Sequence, residues 1–230
     1  EKSTQYGIML YTRANYTSQT DPITGWRKTI YFKSRRQEDL KAEICNKFNE
    51  IVFDGKDYIF KYKDEHTNKE WQMYSGFNGK SLDRFCWKKN KNGIWQVEKK
   101  DIVEILDLIF GKQKENIVNR NLKEKITNEN VNLLKYAIEL IQQIRNNGPK
   151  DKDGKPTKDD DFILSPVRDE RGNHFDSRQS KDIPNGDANG AYNIARKGLM
   201  MFERIQENFE KPDLYIKDED WDKWLQLNKK

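Results

Sequence analysis

Pro184-Asn185-Gly186-Asp187-Ala188-Asn189-Gly190-Ala191-Tyr192-Asn193-Ile194-Ala195-Arg196-Lys197-Gly198-Leu199 sets one carboxylate, Asp187, at the first turn of a helix that opens on small residues. Ala188, Gly190 and Ala191 keep that turn slim, so a neighbouring backbone, an ion or a phosphate has room to approach. Two readings are open for Asp187. An Asp before a helix ordinarily caps it by accepting a backbone N–H. A carboxylate on a rigid element equally suits a divalent metal, which takes oxygen ligands.

Outward from this segment, the 230 residues are enough for one sizeable core or two small ones. Hydrophobic residues make up 34% and charged ones 35%, yet six Trp, ten Tyr and eleven Phe exclude the aromatic-poor composition of a disordered chain. The net charge of +5 is unevenly spread: 13 basic against 11 acidic residues in 1–77, 12 against 7 in 78–125, and 18 against 20 in 126–230. The middle segment is the electrostatic candidate for a phosphate-facing surface. Lys outnumbers Arg 31 to 12, so a biased genome composition is the competing explanation of part of that charge. Cys45 and Cys86 are isolated from each other, which excludes a Cys-x-x-Cys zinc site and allows one disulfide at most. No run of about 18 apolar residues occurs and Glu1-Lys2-Ser3-Thr4 carries no signal-peptide pattern, so the expectation is a cytoplasmic protein without a membrane partner.

Residues 6–12 read as a buried strand, and Asp21-Pro22-Ile23-Thr24-Gly25 as a turn with Pro at its second position. Ser34 and Gln37 match a capping box ahead of a helix with Leu40, Ile44 and Phe48 on one face. Tyr58, Phe60 and Tyr62 alternate with Ile59 and Lys61 as in a strand with one aromatic face, and residues 71–74 supply its partner. Two short aromatic strands, 85–87 and 94–97, flank Asn92-Gly93, a tight hairpin signal. Asp101 and Glu104 cap a helix with Ile102, Ile105, Leu106 and Ile109 inward, stopping at Gly111. A longer helix starts near Asn130, faces Leu134, Ile138, Ile141 and Ile144 inward, and is expected to run to Arg145. A cation at a helix end is favoured by the helix dipole, which gives Arg145 a purely structural reading. The acidic run in 149–161 lacks the Gly and Glu register of a calcium loop and reads as solvated chain.

Several of these segments together carry a family resemblance. Residues 187–192, continued by Ile194, Lys197-Gly198-Leu199 and Arg204-Ile205, resemble the third RuvC motif of the type V-A CRISPR-associated RNA-guided DNA endonucleases, the Cpf family. Leu164-Ser165-Pro166-Val167-Arg168-Asp169, Gly172-Asn173-His174-Phe175-Asp176-Ser177-Arg178 and Gln143-Ile144-Arg145-Asn146-Asn147 resemble that family's Nuc lobe. Tyr6-Gly7-Ile8, Thr17-Ser18 and Asp21-Pro22-Ile23-Thr24-Gly25 resemble the strand and turn after its second RuvC motif. The resemblance spans residues 5–227 and implies an α/β RNase H-like (RuvC) partial domain with an inserted α+β Nuc lobe. It divides the chain into 1–77 (RuvC-like), 78–180 (Nuc) and 181–230 (RuvC-like, with the third motif and a C-terminal helix).

The same resemblance implies Mg²⁺-dependent cleavage of both strands of a DNA opened by a CRISPR guide RNA, with the guide held by the rest of a larger bacterial parent. It carries the family's metal-binding Asp onto Asp187, its required Nuc-lobe arginine onto Arg145, and its Nuc-lobe acidic residue onto Asp161, read as support for Arg145. Two-metal phosphodiester chemistry needs several converging carboxylates. The family's other two, in an Asp-Arg-Gly strand and a later Glu, have no counterpart here, so the chain is expected to be a C-terminal piece that is inactive alone. Gly186 stands where the family has Ala, Asn185 where it usually has a further Asp, and Asn147 where a Ser is usual. Trp87, Lys88 and Lys89 suit a single nucleic-acid strand through stacking and charge, or a core tryptophan beside solvated lysines. The rival reading of the whole chain is a non-catalytic nucleic-acid-binding or interaction module. A compact transposon-type nuclease fits less well, for want of the carboxylates and a zinc ribbon.

Overall fold

In a computed structural model that describes residues 10–111 and 117–228, aromatic and β-branched residues build the first sheet. Strands β1 (Glu50–Phe53), β2 (Tyr58–Lys63) and β3 (Glu70–Tyr74) pair antiparallel with β2 central. Phe60 lies opposite both Ile51 and Met73. The expected single aromatic face of β2 is exceeded, because Ile59 is buried along with Tyr58, Phe60 and Tyr62. Helix α1 (Gln37–Lys47) turns Leu40 and Ile44 into the same apolar core. Its expected Ser34 capping box does not form. The helix starts after Arg36 without a side-chain cap, and the Glu43 carboxylate instead accepts the backbone N–H groups of Lys33 and Ser34.

Two ribbons follow, β4 (Gly76–Phe77) with β5 (Lys80–Ser81) and β6 (Arg84–Lys89) with β7 (Trp95–Lys100). The second turns at Asn92-Gly93 as expected, with Gly93 at φ 76° and Asn90 closing the turn onto Ile94. Helix α2 (Ile102–Phe110) has the expected cap: Asp101 Oδ1 accepts from the Glu104 N–H, and Gly111 ends the helix at φ 103°. Helix α3 (Val131–Ile141) buries Leu134, Ile138 and Ile141. Strands β8 (Arg145–Asn146), β9 (Phe162–Arg168) and β10 (His174–Asp176) then form a second antiparallel sheet with β9 central. One apolar core runs from Trp26 to Val167 through both three-stranded sheets and all three helices, and it crosses residue 77 without a break.

Helices α4 (Gly186–Glu207) and α5 (Asp218–Leu227) enclose a separate small cluster of Met200, Trp221 and Leu225. The described strands thus give a mixed α/β chain with small antiparallel sheets. Of the strand expected over 6–12, residues 6–9 lie outside the described residues and 10–12 run as irregular chain.

Candidate active site

The site begins with the manner in which α3 stops. A helix leaves its last carbonyls without partners, and here the fully buried Arg84 takes two of them: Nε donates to the Leu140 carbonyl (2.8 Å) and Nη2 to that of Ile141 (3.1 Å), while Nη2 also donates to the Leu164 carbonyl on β9 (3.1 Å). Burial pushes the Arg84 guanidinium down to about 9, still charged at neutral pH. The next residue, Gln142, turns aside and pairs its amide with both backbone groups of Ile30. The helix therefore ends at Ile141, four residues short of the expected end, and the cation that satisfies it is Arg84. Arg145 is instead on β8, paired opposite Ile163.

From β8 the Arg145 guanidinium meets two carboxylates contributed by different segments. It donates Nε to Asp161 Oδ1 (2.8 Å) and Nη2 to Asp161 Oδ2 (2.9 Å), a two-point pairing that fixes the plane of the guanidinium. The same Nη2 donates to Asp187 Oδ1 at 2.9 Å. Hydrogen bonding to Asp161 raises the Arg145 pKa, burial opposes that, and Asp187 adds to it. Asp161 also accepts the Gly186 N–H (3.1 Å) at the start of α4.

Gly186 is there for space rather than for backbone freedom. A Cβ at this position would stand 2.6 Å from Asp161 Oδ1 and closer still to Arg145 Nε. The N-cap of α4 is Asn185, whose Oδ1 accepts from the Ala188 N–H (2.8 Å). Asp187 therefore has no capping duty, and its side chain is 87% exposed while that of Asp161 is 19% exposed.

The first turn of α4 is held in place by polar groups that point down the helix. Asn189 donates to the Thr20 carbonyl (2.9 Å), Asn193 to that of Thr17 (3.0 Å), and Lys197 Nζ to those of Arg13 (3.0 Å) and Asn15 (3.1 Å). On the other side, Arg178 holds the approach to Asp161. It pairs with Asp176 and donates Nη1 to Asp83 (2.9 Å) and Asp159 (2.7 Å) while lying over the Phe162 ring. Burial opposes its charge, but the hydrogen bonds to Asp176 and Asp159 raise its pKa regardless.

Of the six residues singled out in the sequence, Arg145, Asp161 and Asp187 come together and Trp87, Lys88 and Lys89 stand apart on β6. Trp87 is 61% exposed, so it is no core tryptophan. Lys88 points to the opposite face of the ribbon and pairs with Glu98 at 3.5 Å. Sequence reading missed Arg84, and it named Arg178 and Gly186 only within the resemblance, without the roles they have here. A buried arginine such as Arg84 leaves no periodic trace, although the spacing of Asn189, Asn193 and Lys197 at i, i+4 and i+8 marks the buried face of α4.

The described residues include no group of three or more His, Cys, Asp or Glu able to hold a metal ion. Asp187 offers one exposed carboxylate, and Asp161 is committed to Arg145 and Gly186. Clefts of about 970 Å³ and 710 Å³ are lined by other residues, and the triad reaches solvent chiefly through the exposed Asp187.

A family model described as a nuclease domain matches residues 20–179, more than two thirds of the chain. The chain belongs to this nuclease-domain family. The match takes in Arg145, Asp161, Arg178 and the β6–β7 ribbon, and ends before α4 and Asp187. It assigns the nuclease domain a hydrolytic role on nucleic acid. Among the described residues no helix is long and apolar enough to cross a membrane.

Proposed function

We propose that this nuclease domain is the C-terminal cutting part of a type V-A CRISPR RNA-guided DNA endonuclease of the Cpf family. In this reading, Asp187 gives one carboxylate to a Mg²⁺-dependent RuvC site whose remaining ligands come from other parts of a bacterial parent protein. The observation that carries it is the meeting of Arg145, Asp161 and Asp187 from three separate segments, with Asp187 exposed to solvent. Mg²⁺, when bound, would supply water activation and stabilisation of the leaving oxygen.

This chain's own part is to hold the substrate. Arg145 is a planar donor suited to a phosphate near the scissile bond, and Asp161 keeps that plane fixed. Asp187 and a phosphate would compete for the same Arg145 Nη2. The guide RNA would bind through the rest of the parent, with base pairing reading the sequence. The RNase H-like reading of 1–77 and 181–230 around a 78–180 Nuc lobe belongs to the same proposal. Its support is the exposed apolar side of α4, with Ile194, Leu199 and Phe202, which such a sheet would cover.

Strand-resolved cleavage by the parent tests the assignment. Asp187→Ala should abolish both cuts, whereas Arg145→Ala should leave nicked DNA with the guide-paired strand intact, and guide-dependent binding should survive both changes. Full activity in Arg145→Ala would reject its role. Equal loss of both cuts would move it into the chemical step itself. The 230-residue chain alone should leave single-stranded DNA uncut in Mg²⁺, and robust cleavage lost in Asp187→Ala would show the site to be complete.

A further inference from the structure

The β6–β7 ribbon and its turn leave three large apolar side chains mostly exposed. Trp87, Ile94 and Trp95 are 61%, 62% and 59% exposed. In the antiparallel register Trp87 faces Val97 and Lys89 faces Trp95, so both indoles and Lys89 share one face. The indoles are diagonal neighbours, about 7–8 Å apart in such a ladder. Lys89 Nζ lies over the Trp95 ring, 5.2 Å from its centroid.

Residues 85–100 carry five lysines and a single acidic residue, Glu98, which pairs with Lys88 and Lys100. Lys99 pairs with Asp83, so among the described residues Lys89 and Lys91 have no ion-pair partner. Flat rings flanked by unneutralised cations match the two components of a single strand, bases and phosphates.

The root of this ribbon is tied to the candidate site. Asn146, next to Arg145, accepts the Phe85 N–H (3.4 Å), and Gln143 Nε2 bridges the Phe85 carbonyl (2.8 Å) and Asn146 Oδ1 (3.0 Å). Arg178 adds a link from Asp83 to Asp159, two residues before Asp161. We infer that the Trp87–Trp95 face is a stacking platform for single-stranded DNA that hands the strand to Arg145. The inference rests on the nuclease reading above and extends it to a surface outside the triad.

Anisotropy of a labelled oligothymidine at about 50 mM salt tests it, with an abasic oligonucleotide of equal length and an oligouridine as the other arms. The wild-type chain should bind oligothymidine, and the Trp87→Ala/Trp95→Ala double variant should bind it about tenfold or more weakly. Trp87→Phe/Trp95→Phe should restore most of the loss, and the abasic strand should bind both proteins alike. Both tryptophans are exposed, so the melting temperature should not move. Absent wild-type binding, equal affinity of the alanine variant, or equal wild-type affinity for the abasic strand would each overturn the platform. Tighter binding of oligouridine would overturn the choice of DNA. If the alanine variant loses affinity while Arg145→Ala leaves parental cleavage intact, the platform stands and the triad assignment fails. The reverse pattern rejects the platform alone.

Discussion

The body spanning residues 26–167 and the α4–α5 segment solve the same packing problem with different chemistry. In the first, Ile, Leu, Phe and Trp side chains fill one continuous core. In the second the apolar cluster is small, and α4 is fastened by Asn189, Asn193, Arg196 and Lys197, all buried and all donating to backbone carbonyls of residues 13–22 or, from Arg196, also to that of Asn228. The buried Arg27–Asp222 pair, with bonds of 2.6 and 2.7 Å, fastens α5 in the same way. Apolar burial is non-directional and forgives small shifts, whereas hydrogen bonds to fixed carbonyls specify one position. The helix that places Asp187 is the one held by the directional kind.

That contrast breaks most readily at its strongest points. Asp222→Ala strands the Arg27 charge in the interior and should cost about 3–5 kcal/mol. Ile138→Ala in the apolar core should cost about 2–5 kcal/mol. Hydrogen exchange separates the two: Asp222→Ala should deprotect residues 186–228 and 13–27 first, and Ile138→Ala the sheets and α3. Uniform deprotection in both would show one cooperative unit.

His174 provides a pH handle on the first body. Its Nδ1 donates to the Ser165 carbonyl (2.9 Å) and its Nε2 accepts from Arg168 Nε (3.3 Å), so the ring is held neutral. Burial pushes its pKa down to about 4, with the nearby Arg168 adding to the effect. The folded value lies below the unfolded one, so the unfolded chain binds the proton more readily between about pH 6.5 and 4. Stability should therefore fall as pH drops through that window, by about 3 kcal/mol from this residue. Denaturant titrations of wild type and His174→Gln should converge toward pH 4, and parallel curves would remove His174 as the cause.

Asn193→Ala removes buried donations to the Thr17 carbonyl and to Asn189 and should cost about 1–3 kcal/mol, localised to α4. The smallest expected effect has the opposite sign. Gly198 is helical, and apart from its own helix backbone and chain neighbours a methyl group on its Cα would meet no atom within 4 Å, so Gly198→Ala should stabilise α4 by about 0.5–1 kcal/mol. A loss of melting temperature instead would mean that α4 needs flexibility there.

Much of the first body was legible in the sequence because its elements follow local rules. The Asp101 cap, the Gly111 stop and the Asn92-Gly93 turn each depend on residues a few positions apart, and each is present. The end of α3 was not legible because tertiary partners decide it: Gln142 prefers the Ile30 backbone and Arg84 supplies the cap from 56 residues away. The Ser34 box fails for a similar reason, with Glu43 taking the Ser34 N–H that Gln37 would accept in such a box, and the Lys33 N–H beside it. At the site, the sequence supplied the three charged residues through resemblance. That Asn185 caps the helix, and so frees Asp187, is visible only in three dimensions.

The β6–β7 ribbon has a further consequence, for how the chain behaves in concentrated solution. It is a two-stranded sheet, and apart from the side-chain amides that cover β6 at Phe85, its outer edges have no strand beside them among the described residues. Such edges are templates on which a second copy can add a strand, and exposed indoles and an isoleucine make that addition more favourable. The lysines on this ribbon oppose it, because two copies brought edge to edge would press like charges together. Solubility of the free chain is thus tied to ionic strength: salt that screens the lysines weakens the guard on the edge while leaving the rings as adhesive as before.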